Sequence, residues 1–176
     1  AGDLRSEGTI IKGSISHNMI VETYHEPAMA VTIVGRAISE SPRIIYNMLE
    51  EIRKFKVKVL GMSIDHDSLI LYLSVINSER SERFLETLHS IVISEDKAIA
   101  MAVRRNLALV RVRGIGLEET PGVVSDMADT LRSSNINIYG IFTITSSVLL
   151  FVEFKDVNRV VRLVEEAVKA NSEGEN

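Results

Sequence analysis

Residues 106–154, NLALVRVRGIGLEETPGVVSDMADTLRSSNINIYGIFTITSSVLLFVEF, spell out one complete folding unit. The apolar, branched run Leu107 to Val112 reads as a buried strand. Gly114 and Gly116 break it, and Thr120-Pro121-Gly122 supplies a helix start, with Thr120 as N-cap and Pro121 at the first helical position. Val123, Val124, Met127 and Leu131 recur at helical spacing, with Asp126, Asp129 and Arg132 on the other side. Ser133-Ser134-Asn135 stops the helix. Strands Ile136 to Thr143 and Val148 to Phe154 follow, turning at Thr145-Ser146-Ser147, and Asp156 to Ala170 adds a second amphipathic helix.

The unit occurs twice. Shifted by 79 positions, the first half of the chain lies on the second without a gap: Gly35 on Gly114, Pro42 on Pro121, Met48 on Met127, Arg53 on Arg132, Gly61 on Gly140, Ser68 on Ser147 and Leu71 on Leu150. Arg80, Arg83 and Glu86 fall on Arg159, Arg162 and Glu165, and between the identities apolar matches apolar. Turn, breaker and periodicity agreeing in one register identify a tandem duplication. The chain therefore reads as two small α+β domains packed as a pair, because either alone buries little core.

Composition bounds the function. The 176 residues are 45% hydrophobic and 25% charged with net charge −4, so no basic stripe offers nucleic acid a grip. The sequence has no cysteine, which removes disulfides and thiolate metal sites. No segment approaches the roughly 20 apolar residues that span a bilayer. The start, Ala1-Gly2-Asp3, lacks a methionine and a signal-peptide pattern and reads as a cut or processed end of a longer protein.

Taken in order, a short strand covers Thr9 to Lys12 and a helix His17 to His25. Repeat one opens with the strand Met29 to Val34 and a helix from Ser41-Pro42 through Lys54. A hairpin of Lys56 to Ile64 and Leu69 to Val75 leads to a helix, Arg80 to His89, and a closing strand, Ile91 to Ser94. Asp96 to Arg104 reads as helix. Repeat two has no closing strand of its own, so the N-terminal strand is expected to complete its sheet, since an unfilled edge is a liability. The expected domains are 16–94, inserted, and 8–15 with 95–170, followed by a polar tail at 171–176.

Tandem β-α-β-β-α-β units with Pro-Gly opening a helix resemble the ACT domain, a small regulatory module of ferredoxin-like topology, with antiparallel sheets and helices on one face. The pair is similar to the C-terminal regulatory region of aspartate kinases. The residues behind this resemblance are Gly8-Thr9-Ile10-Ile11, Val31-Thr32-Ile33-Val34-Gly35, Gly114-Ile115-Gly116 with Pro121-Gly122-Val123, and Asn135-Ile136-Asn137-Ile138. It implies allosteric sensing of an aspartate-pathway amino acid, such as lysine or threonine, by a cytoplasmic protein. It also implies a homodimer formed through ACT domains and a kinase domain, attached or separate, that carries catalysis. The chain departs from the family at Tyr139, where an acid usually meets the effector's amino group, with Leu60 as its counterpart in repeat one. Arg43 stands in repeat one where Gly122 stands in repeat two, so the Pro-Gly signature survives in repeat two alone.

The candidate ligand-binding residues are Gly116, Leu117, Thr120, Pro121, Gly122, Val123, Asn137, Ile138 and Tyr139. A helix N-terminus offers unpaired N–H groups to a carboxylate, and the two glycines allow close approach. The same loop is equally a capped strand-to-helix turn. Asn137 and Tyr139, on one face of an expected strand, either hydrogen-bond a ligand or cover the sheet. Gly114-Ile115-Gly116 is no dinucleotide fingerprint, because Glu119 occupies the third glycine's place. Asp65-His66-Asp67 reads as a solvated hairpin tip, and His17 and His25 lack a third ligand, so neither metal nor cofactor is expected. No nucleophile with base and orienting partner is present at motif spacing, so the chain is read as non-catalytic. The competing reading is an assembly module whose sheets pair edge to edge without a small molecule.

Overall fold

The chain alternates strands and helices twice, and its computed structural model describes residues 10–15, 19–24, 26–75, 77–114, 117 and 122–173. Eight strands and four helices follow in order: β1 (Ile10–Ile15), β2 (Met19–Tyr24), β3 (Ala28–Gly35), α1 (Pro42–Phe55), β4 (Val59–Ile64), β5 (Ser68–Ser74), α2 (Ser78–Ser94), β6 (Ala98–Gly114), α3 (Val123–Ser133), β7 (Gly140–Ile144), β8 (Ser147–Glu153) and α4 (Val157–Glu173). They form two compact units, Pro27–Arg105, and Ala1–Glu26 with Asn106–Asn176. Both are α+β, and β6 contributes to each.

In the inserted unit the strands run in the order β6-β3-β5-β4. One core joins sheet and helices: Met29, Val31, Ile33, Leu69, Leu71 and Leu73 meet Ile44, Met48, Ile52, Phe84, Leu88 and Val92. Phe55 and Phe84 lie with ring centroids 5.4 Å apart, and the Arg80 guanidinium donates to the Phe55 carbonyl at 2.7 Å, closing the end of α1 with a residue of α2. In the other unit the order is β1-β2-β6-β8-β7. Its core gathers Val21, Ala108, Val110, Val112, Val148, Leu150 and Val152 under Val123, Met127, Leu131, Val160, Val164 and Val168. Each unit is thus a βαββαβ ferredoxin-like fold, its sheet covered by two helices on one face.

The duplication extends to backbone geometry. Lys56 ends α1 at φ 55°, and Asn135, its counterpart 79 residues on, follows α3 at φ 57°. Val57 then donates to the Ile52 carbonyl at 3.0 Å, as Ile136 donates to that of Leu131 at 2.9 Å. A left-handed residue and a buried apolar one after it close both helices in the same way.

Four elements differ from the sequence reading. Met19–Tyr24 is strand, not helix: Val21 faces the core and the branched and aromatic run Ile20-Val21, Thr23-Tyr24 suits a pleated sheet. This strand, β2, pairs with β6 and completes repeat two, while β1 lies outside it, so the completing strand is not Thr9 to Lys12. Ile91 to Ser94 continues α2, because Phe84, Leu88 and Val92 form one buried helical stripe that outweighs three successive β-branched residues. Ala98 to Arg104 is strand despite its helix-favouring alanines and arginines, because the edge of β3 takes it as partner. The limits of the inserted unit accordingly lie at 27 and 105, eleven residues beyond the expected 16 and 94, and α4 continues through Glu173 into the expected tail.

Candidate functional site

The helix start expected at Thr120-Pro121-Gly122 is displaced by two residues. Gly122 itself is the N-cap of α3, at φ 93°, and its carbonyl accepts from Asp126 N at 2.8 Å. Such a φ favours glycine, and no described residue stands within 4 Å of where its Cβ would be. In repeat one Pro42 opens the helix directly, with Ser41 as N-cap. Gly116, Thr120 and Pro121 lie outside the described residues.

Leu117 and Val123 are core residues, 4% and 0% exposed. Asn137 and Ile138 follow the close of α3 and precede β7. With Ala128, Asp129 and Arg132 of α3, and Ile136, they line a cleft of about 320 Å³. Its floor is apolar, and Arg132 donates to Asp129 at 2.8 Å at its rim.

Tyr139 does not line this cleft. Residues 136–138 are irregular rather than strand, so strand alternation does not bring Asn137 and Tyr139 together. The Tyr139 hydroxyl donates to Glu153 Oε1 at 2.9 Å, and Lys155 Nζ lies 2.9 Å from Oε2 of the same carboxylate. The bond to Glu153 holds the Lys155 ammonium above its ordinary pKa. An acid does therefore sit beside position 139, supplied by β8 and held by two partners.

The three cleft residues from α3 were not singled out from sequence, yet the duplication carried a signal for them. Repeat one has Leu49, Glu50 and Arg53 where repeat two has Ala128, Asp129 and Arg132. The charge pair is kept, Arg53 donating to Glu50 at 2.7 Å, but leucine is replaced by alanine. The missing side-chain volume lies where the cleft opens.

The hairpin tip behaves as a turn. Asp67 Oδ1 accepts from Ala37 N at 3.0 Å and Asp65 Oδ1 from His66 N at 2.6 Å, so the carboxylates brace the backbone. Among the described residues no three His, Asp or Glu side chains converge to hold a metal, and no helix is long and apolar enough to cross a membrane.

No protein-family model matches the chain. It is 24% identical to aspartate kinase Ask_LysC of Stutzerimonas stutzeri (strain A1501) over 139 residues, 78% of this chain and 34% of that enzyme. The chain thus spans about a third of the length of the curated relative it matches. Clostridium acetobutylicum aspartate kinase, an allosteric enzyme, superposes with a TM-score of 0.72 at 19% identity, over 94% of this chain and 36% of that one. The regulatory subunit of aspartate kinase from Thermus flavus superposes with a TM-score of 0.68 at 15% identity, over 88% of this chain and 99% of the subunit. At these identities the likeness is one of fold. The chain has the fold of aspartate kinase regulatory domains.

Proposed function

We propose that the chain is a regulatory, amino-acid-binding ACT-domain pair that controls an aspartate kinase or a similar enzyme. The observation that carries this reading is coverage: the fold matches 99% of a dedicated regulatory subunit and extends over most of this chain. The reaction belongs to a kinase domain, attached or separate. This chain supplies control through the difference in its affinity for an effector between two states of that enzyme, typically about 5–150-fold in coupled systems.

Repeat two is the effector-binding repeat. The N-terminus of α3 at Gly122 presents amide N–H groups and a partial positive charge suited to an α-carboxylate. Toward the other end of α3 the cleft offers Asn137 as a neutral donor and acceptor and Ala128, Ile136 and Ile138 as an apolar wall. In repeat one Arg43 replaces the capping glycine and Leu49 replaces Ala128, so that repeat has a structural role. Lysine and threonine are the first effectors to test, as members of the aspartate pathway.

A specific observation favours a second reading, an assembly module without a ligand. Edge strand β4 exposes Val59, Met62 and Ile64, each 41–44% accessible, and α1 adds Tyr46 and Leu49. Such an unpaired apolar edge suits pairing with a second copy. The two readings separate in a thermal-shift series with the twenty amino acids. A ligand specific to the folded state raises Tm with concentration, by roughly 3–6 °C at a tenfold excess over Kd. Ala128→Leu, which copies repeat one, is expected to keep the fold and lose the shift. An unchanged Tm across the whole series leaves the assembly reading standing.

A further inference from the structure

We propose that the helix-free face of the unit completed by the N-terminal strands carries an oxyanion site built on Arg111 and Arg113. Ala108, Val110 and Val112 of β6 face the helices, so strand alternation turns Arg111 and Arg113 to the opposite face. They stand on that face two residues apart, at a separation of roughly 7 Å. Cross-strand register places Glu22 opposite Arg111 and Ser147 opposite Arg113.

The charges in this group do not balance. Among the described side chains one carboxylate, Glu22, faces two guanidinium groups, in a protein whose net charge is −4. Glu22 is 5% exposed and accepts from Arg113 Nη2 at 2.7 Å. Among the described residues Arg111 Nη2 reaches Ser147 Oγ alone, at 3.5 Å, which is long for a hydrogen bond. The Nε–H groups of both arginines are shielded from water, and no acceptor among the described residues meets either.

Two like charges on one strand face repel, and a shielded donor without an acceptor costs free energy. Both defects are removed by one occupant: an anion with at least two oxygens. A carboxylate or phosphate matches the paired donors of a guanidinium edge, and Ser147, 5% exposed, brings a hydroxyl to the same place. The Arg113 side chain is 42% exposed, which gives the anion a route in and room for a rotamer change that turns the donor edge outward. The site shares no residue with the cleft beside α3.

The test uses the intact 176-residue chain. Arginine Nε–H resonances are followed by NMR during titration with inorganic phosphate, and separately with glutarate, each against chloride of equal ionic strength. The expected result is a saturable shift of the Arg111 and Arg113 resonances, with Arg105, which pairs with Glu82, unmoved. A response to phosphate alone assigns a phosphoryl group, and a response to glutarate alone a carboxylate. Arg111→Gln should weaken the response at least tenfold. Should that variant not fold, the titration of the unaltered chain decides by itself. No saturable shift, an equal shift in chloride, or an equal response at Arg105 would overturn the proposal.

Discussion

Two glycines show how differently one residue type acts in the two repeats. A Cβ on Gly35 would lie 2.1 Å from the Lys97 carbonyl oxygen and 3.0 Å from Ala98 Cα, so the obstacle is mainly backbone. A Cβ on Gly122 would meet no described residue, and its φ of 93° is what penalises a side chain. Gly35→Ala is therefore expected to destabilise by about 3 kcal/mol or more, through overpacking against atoms that cannot yield. Gly122→Ala is expected to cost about 1–2 kcal/mol, the penalty of a left-handed backbone. Urea unfolding of the two variants checks the order, and a Gly122→Ala loss equal to or larger than that of Gly35→Ala would contradict this account. The duplication made Gly35 legible as a breaker, but the approach of Lys97 that requires it is a tertiary fact. Tyr139 was legible as a missing acid and as a candidate ligand contact, but not as the partner of Glu153, because that carboxylate comes from β8.

At the scale of elements, periodicity located the cores and local propensity misled at the edges. Ile44, Met48 and Ile52 in α1 and Val123, Met127 and Leu131 in α3 are buried at matching intervals, as the sequence pattern required. Two of the misread segments, Met19–Tyr24 and Ala98 to Arg104, are strands that pair with β6 and with β3. Their conformation is decided by a ladder formed with distant residues, a signal that no short window contains. The cleft residues Ala128, Asp129 and Arg132 were hidden for a related reason: a cavity is defined by what is absent. Edge strand β4 makes its own prediction. Lys56 and Lys58 precede it and Asp65 and Asp67 follow it, so antiparallel pairing of two copies brings basic ends to acidic ends. Under the assembly reading, Met62→Lys, on an exposed edge position, is expected to raise the dissociation constant of the proposed dimer at least tenfold in sedimentation equilibrium without changing Tm of the monomer. Dimers of unchanged strength would place self-association elsewhere.

Across the whole molecule, the duplication supplied two copies of one fold and left them free to diverge. Both keep the helix-closing pair, Lys56-Val57 and Asn135-Ile136, and the buried methionines Met48 and Met127, each 0% exposed. They differ at two positions of the proposed effector site, Arg43 against Gly122 and Leu49 against Ala128. Fold alone does not confer function, so the regulatory reading rests on that asymmetry together with the likeness to a regulatory subunit. The direct test is isothermal titration calorimetry of the intact chain with lysine, threonine, methionine and further amino acids. One effector bound saturably per chain, and none to Ala128→Leu, is the predicted result. Two equivalent sites per chain would contradict the assignment to repeat two, and no binding heat with any amino acid would contradict the sensor itself.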